Sequence, residues 1–168
     1  MDAREMLIDQ VTTIRGTMLA TFKDLTAQER LWQPGPGMNH AVWLAGHIAW
    51  SLDHLILDYC VGAAQLPQRY AALFGLGSQL LSDASGYPDS QELLERLAAG
   101  HEAALAWLRA ADEAELQRRP EGFDAMDERR RGMFASRGRC VWFHAQHEAM
   151  HAGQMGYVRR LMGKPYRV

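Results

Sequence analysis

Cysteine is scarce in this sequence: Cys60 and Cys140 are the only two, and they form no CxxC pair. That excludes a disulfide scaffold and predicts reduced thiols in a cytoplasm. A surplus of charge is also missing. Lys and Arg number 18 against 20 Asp and Glu, a net charge of −2. No positive field therefore exists to recruit nucleic acid or an anionic membrane. No apolar run approaches the ~20 residues needed to span a bilayer. The opening MDAREMLIDQ lacks the pattern of a secretory leader, so the expected location is cytoplasmic. Alternating strand patterns, repeats and low-complexity tracts are absent too. What remains has the balance of a globular protein, with 48% hydrophobic and 23% charged residues in 168 positions. That length predicts a single domain over residues 1–168. A domain this size buries about 68–70% of its unfolded surface, so it needs no metal merely to fold.

The apolar pattern is helical. Leu7, Val11, Ile14, Met18, Phe22 and Leu25 recur at steps of three and four, which predicts an amphipathic helix over about 3–25. Thr26 caps a short turn that Pro34-Gly35-Pro36-Gly37 stops. Asn39 is the expected N-cap of a second long helix to about Val61. Residues 62–88 read as loop with a short helix near 68–74. Asp89 and Glu92 open a third helix to about Ala110, with Leu94, Leu97, His101, Ala104 and Leu108 on one face. A charged, broken segment follows. The fourth helix runs from about Ser136 to Met162, where Gly163 and Pro165 end it. Four such helices predict an all-α four-helix bundle, with at least one long connector crossing over or covering an open end.

Histidine carries the chemistry. Of seven, six fall on two helices: His40, His47 and His54 one heptad apart, then His144, His147 and His151 on one face of the last helix. His147 and His151 stand one turn apart, where two imidazoles chelate one divalent ion. A hydrogen-bonded histidine pair is the commoner outcome for one isolated HxxxH. Several inward-facing imidazoles reverse that preference, because buried ring nitrogens without partners are costly. A third ligand is expected from the second helix. Only one of its three histidines fits, since a heptad spans ~10.5 Å. His47 is central, His40 lies near the helix start as a cap or pocket residue, and His54 is a supporting or core histidine.

His147-Glu148-Ala149-Met150-His151 also spells HExxH, the zinc-protease signature with Glu148 as base. The context argues against a protease. Gln154 and Tyr157 stand where a metzincin needs Gly and His, and no Asp or Glu follows Glu148. Glu148-x-x-His151 is half of a di-iron signature, but no second ExxH occurs in the sequence, so one mononuclear site is expected.

Asn39-His40-Ala-Val-Trp43-Leu-Ala-Gly46-His47-Ile-Ala-Trp50 resembles the second-helix motif of the DinB-like superfamily. His144-Ala-Gln-His147-Glu-Ala-Met-His151-Ala-Gly-Gln154 is similar to that family's HxxxHxGQ motif. Leu25–Gly35 and the Arg159–Pro165 tail fit as well, so the resemblance covers the whole chain. It implies a four-helix bundle whose divalent-metal ligands are His47, His147 and His151. Zn²⁺ and Ni²⁺ both suit imidazole. Family members with known activity include transferases and isomerases that use bacillithiol, mycothiol or glutathione. The expected function is therefore a metal-dependent enzyme of the small-thiol S-transferase type acting on a small-molecule substrate. The alternatives are a hydrolase using metal-activated water and a non-catalytic metal-binding bundle. The resemblance further implies a homodimer. It leaves catalytic residues unassigned: His40, His144 and Gln154 are candidates for orienting nucleophile or substrate. Arg118, Arg119, Arg129, Arg130, Arg131, Arg137 and Arg139 read first as a solvated loop and second as a clamp for the carboxylates of an anionic thiol. His101 reads as a core histidine, and Trp43, Trp50, Trp107 and Trp142 as core or pocket walls.

Overall fold

Capping side chains mark where most of the helices begin. In the computed structural model, which describes residues 1–81, 83–165 and 167, Asp2 and Glu5 form a capping box that starts α1 (Ala3–Phe22). Thr26 and Glu29 do the same for α2 (Ala27–Arg30). α3 (Ala41–Leu52) is capped by His40 rather than Asn39: its Nδ1 accepts the Trp43 N–H at 3.1 Å. Beyond Leu52 the same rod continues to Val61, wound as a π-helix. Gly62 then stops it in the left-handed region at φ 72°. α4 (Arg69–Phe74) is short. Asp89 caps α5 (Ser90–Ala110), Asp112 caps α6 (Glu113–Gln117) and Asp127 caps α7 (Glu128–Met133). Ser136 starts α8 (Arg137–Leu161). Gly163, at φ 76°, lets the Lys164 N–H bond back to the Arg159 carbonyl and close its last turn.

The long helices form a four-helix bundle. α1 packs on α8 and α5, while the α3 rod packs on α5 and α8. α1 and α3 thus occupy opposite corners, as do α5 and α8. Two of the three connections cross a diagonal. The expected crossover is present. The segment after α5 is not simply loop, because α6 and α7 fold within it. No strand forms among the described residues, and no helix among them is long and apolar enough to cross a membrane.

The apolar interior falls into three clusters. Met18, Phe22, Leu44, Ile48, Tyr70, Phe74, Leu93, Leu97 and Met155 fill one region. Leu7, Val11, Leu52, Ile56, Leu105, Leu108 and Val141 fill a second. Leu55, Cys60, Met126, Phe134 and Cys140 make a third. The buried face of α1 runs through Arg15 rather than the expected Ile14, and that of α5 through Leu93, Gly100 and Leu105 rather than Leu94 and His101. Arg15 is accommodated because the Glu148 carboxylate receives its Nε at 2.5 Å and its Nη2 at 3.1 Å, while Nη1 donates to the Leu97 carbonyl at 2.8 Å. This pair and a second one, Arg159 with Asp24, tie α8 to α1 and to the turn after it.

Candidate metal centre

Each ligand is held from below by a different device. His47 lies on the buried face of α3 between two indoles. Trp43 stacks on it at 4.7 Å between ring centroids and Trp50 at 5.5 Å. The preceding residue, Gly46, leaves space for the ring of Phe74: a Cβ built there would stand 2.3 Å from that ring. Phe74 ends α4, so its carbonyl lacks a partner within the helix. It accepts the Nδ1–H of His47 at 2.5 Å. On α8, His151 Nδ1 meets the Gln154 Oε1 one turn onward at 2.8 Å. His147 Nδ1 stands 3.1 Å from the Ser51 hydroxyl of α3.

These bonds decide where the lone pairs point. A carbonyl or amide oxygen only accepts, so His47 and His151 carry their proton on Nδ1 and expose a bare Nε2. The His47 Nε2 lies 3.2 Å from the His147 Nε2, and the His151 Nε2 lies 2.9 Å from it. Nitrogens at tetrahedral angles about an ion ~2.0–2.1 Å away would stand about 3.3 Å apart. The donor set therefore fits one metal ion. Among the described residues no fourth His, Cys, Asp or Glu joins the group. Three protein ligands with an open position are the mark of a catalytic rather than a structural site. Burial and the neighbouring imidazoles pull the His147 pKa down to about 3, and burial also lowers those of His47 and His151. All three rings are neutral, as ligands must be, at physiological pH.

The other expected site residues take different places. His40 is the cap of α3 and packs edge-on against Tyr87. His54 is not in the core: it is partly exposed, stacks on Trp50 and places Nδ1 3.4 Å from Asp58. Its distance of two turns from His47 keeps it from the cluster. His144 is buried, between Ser51 and Glu148. Glu148 of the HExxH string turns its carboxylate toward Arg15 and His144, away from the three Nε2 atoms. Burial pushes its pKa up, yet Arg15 and His144 together hold it at about 2. His101 is half-buried, with its pKa lowered to about 4 by burial and the Arg15 charge. Trp142 faces outward from α8 beneath the guanidinium of Arg139. Cys60 and Cys140 are buried. Arg137 pairs with Glu115 and Glu121, Arg118 with Glu115 and Arg119 with Asp124. Arg118, Arg119 and Arg137 are thus paired with nearby acids.

A cavity of about 700 Å³ lies beside the cluster. His47, Ser51 and His147 form part of its lining, with Trp50, Tyr59, Phe134 and Phe143 among the ring-bearing walls. Arg129 and Arg130 also line it.

The family model described as the DinB superfamily matches residues 10–155. The chain belongs to the DinB superfamily. All three converging histidines of this DinB-superfamily chain fall within the matched span. Solved structures share its fold, two of them as follows. A conserved protein from Enterococcus faecalis superposes with a TM-score of 0.71 at 20% identity, covering 98% of this chain and 99% of that one. YfiT from Bacillus subtilis, described as a probable metal-dependent hydrolase with an unusual four-helix bundle topology, superposes with a TM-score of 0.67 at 16% identity, covering 96% and 88%. No curated protein matches the chain significantly.

Sequence reading missed Ser51, the Phe74 carbonyl and Arg15. Ser51 carried a signal, since it lies one turn after His47 on the same helix. The Phe74 carbonyl carried none, because a main-chain acceptor has no residue signature.

Proposed function

We propose that this DinB-superfamily chain is a metal-dependent enzyme that uses His47, His147 and His151 to hold a divalent ion, zinc or nickel, and transfers a small thiol to a small-molecule acceptor. The observation that carries this reading is the convergence of three Nε2 atoms beside a 700 Å³ cavity. When bound, the ion lowers the pKa of a coordinated thiol or water and so supplies a nucleophile at neutral pH. The chain does the rest. Trp50, Tyr59, Phe134 and Phe143 offer apolar surface to the acceptor and exclude water. Arg129 and Arg130 supply guanidinium groups for the carboxylates of a thiol such as glutathione or bacillithiol. The cavity's carboxylate, Asp127, caps α7 and pairs with Arg130. Glu148 faces the other way, toward Arg15 and His144.

Hydrolysis is the second reading, supported by the description of YfiT. The two separate in one experiment. Zinc- and nickel-loaded protein is incubated with epoxide, aryl-halide and ester substrates, with and without glutathione or bacillithiol, and the products are read by mass spectrometry. Thiol conjugates that vanish on chelation support the transferase. Metal-dependent hydrolysis indifferent to thiol supports the hydrolase. No turnover of either kind with a stably bound metal favours a non-catalytic bundle. The same proposal takes the chain as a homodimer without nucleic-acid or membrane partners, which mass measurement under native conditions checks.

A further inference from the structure

We propose that the cavity beside the metal centre is a binding site for an acceptor with a flat, uncharged aromatic ring, taken up within a closed circuit of seven side-chain rings. The inference rests on the transferase reading above and names the class of its acceptor.

The circuit starts at a metal ligand. His47 and Trp50 stand 5.5 Å apart between ring centroids and 27° from parallel; Trp50 and His54 stand 5.4 Å apart and 15° from parallel. These three share one face of the α3 rod, at steps of three and four. Tyr59 comes next, 4.4 Å from His54. It follows His54 by five residues, so in an α-helix it would stand about 140° round the rod from His54. The rod is instead wound as a π-helix from Asp53 to Val61. The i→i+5 hydrogen bonds of that winding set such a pair one above the other. The π stretch therefore extends the cavity wall by one ring. From Tyr59 the circuit crosses to Phe134, just beyond α7, at 6.0 Å, and on to Phe143 of α8 at 5.1 Å. Phe143 stacks on His147, one turn onward, at 6.1 Å and 18°. His147 meets His47 at 5.0 Å and closes the circuit. Every one of these rings lines the same cavity.

Such a wall differs from a merely apolar one. Stacked pairs alternate with steep ones, Tyr59 to Phe134 at 71° and Phe134 to Phe143 at 84°. Faces and edges are both on offer, the two surfaces against which a further aromatic ring packs at about 4.5–7 Å between centroids. Charge then narrows the choice, because aromatic faces also attract cations. Beside its histidines, the charged groups of the lining are Asp127, Arg129 and Arg130. Asp127 is matched to Arg130 at 3.8 Å, which leaves a guanidinium in surplus. A divalent ion at the histidines adds further positive charge when bound. A quaternary ammonium is therefore disfavoured. The arginines serve the carboxylates of the thiol, and the acceptor's ring needs no charge of its own. The cavity's volume of about 700 Å³ lies within the ~300–1,000 Å³ of small-molecule sites.

The test is calorimetric titration of zinc-loaded and metal-free protein with three ligands built on one frame: 2-naphthylmethanol, its saturated analogue decahydro-2-naphthylmethanol, and (2-naphthylmethyl)trimethylammonium. 2-Naphthylmethanol should bind about 5–10-fold more tightly than the saturated analogue, a gain within reach of two favourable ring contacts. It should also bind more tightly than the ammonium. Tyr59→Leu and Phe143→Leu keep apolar bulk and remove a ring. Each should cut the aromatic preference to about twofold or less and leave the saturated analogue's affinity within about twofold. Trp142→Leu, on the outer face of α8, should change neither. Thermal melts establish that each variant is folded. Equal affinity for the aromatic and saturated ligands overturns the proposal, as does failure of the folded parent to bind 2-naphthylmethanol. Tighter binding of the ammonium overturns it in favour of a cation cage. Binding is read without turnover, so the two readings fail separately. Protein that shows the aromatic preference but forms no thiol conjugate keeps this site and loses the transferase reading. Protein that conjugates thiol to aliphatic acceptors without the preference keeps that reading and loses this site.

Discussion

Replacing Gly46 by alanine puts a methyl group where the ring of Phe74 now sits. The new Cβ would lie 2.3–2.5 Å from three atoms of that ring. Carbon atoms in favourable contact stand about 3.5–4.0 Å apart, so the ring must retreat by about 1 Å. Phe74 has little room to do so, since it is fully buried and packed against Tyr70 and Tyr87. The displacement passes to the end of α4, whose Phe74 carbonyl holds His47 Nδ1 at 2.5 Å. A shift of about 1 Å takes that contact to the limit of a hydrogen bond or beyond it. Overpacking costs about 1–3 kcal/mol. The gain in helix propensity returns about 1 kcal/mol. A net loss of up to about 2 kcal/mol lowers the melting temperature by up to about 8 °C in a chain this long. Zinc affinity should fall about 10–100-fold, because His47 loses the partner that fixes its ring. Gly16→Ala is the internal control: nothing lies within 4 Å of its Cβ position on α1. There the same chemical change should raise stability by about 0.5–1 kcal/mol and leave zinc binding alone. Calorimetry and chelator competition on the two variants read both quantities. Gly46→Ala protein as stable as the parent, with undiminished zinc affinity, would refute the reasoning.

Three further outcomes follow. Alanine at His47, His147 or His151 should reduce zinc from one per chain to well below half by elemental analysis, while His101→Ala should retain it; full metal in His47→Ala protein would break the ligand assignment. Arg15→Met should cost about 3–5 kcal/mol in chemical denaturation because it leaves the Glu148 charge buried and unpaired; a loss under 1 kcal/mol would show that the pair contributes little. Metal-free protein should lose stability on acidification. Burial lowers His147 to about 3, and lowers His47 and His151 too, from the ordinary imidazole value of about 6.5. The unfolded chain then binds more protons, so this contribution is full above about pH 6.5 and is lost as pH falls toward 3. Urea midpoints equal at pH 7.5 and pH 5 would contradict that sign.

The fold was largely legible because four long segments carry helical apolar spacing and most begin at good caps. Errors arose where one residue could face either way. Ile14 suits an apolar stripe better than Arg15, yet Arg15 faces inward because Glu148 on α8 receives it. Glu148 itself sits inside an HExxH string that suggests a metal-site base. Only the packing of α1 against α8 shows that it serves the interior. His40 was ambiguous among cap, pocket and ligand, and its Nδ1 bond to Trp43 N–H resolves it as the cap. The π-wound stretch after Leu52 left no mark in the spacing. The metal triad was legible as a motif. Its supporting acceptors were not, because one is a main-chain carbonyl and another is a serine on the neighbouring helix.

The most direct measurement is a spectrum of the cobalt-loaded protein during titration with glutathione or bacillithiol. Cobalt substitutes for zinc and absorbs in the visible according to its ligands. One equivalent should bind per chain, and a new near-ultraviolet charge-transfer band should rise with thiol as sulfur takes the open position left by three histidines. The band should be absent from metal-free protein and from His147→Ala protein. Stoichiometric cobalt with no spectral change at millimolar thiol would contradict the thiol reading, and failure to bind cobalt at all would contradict the metal centre.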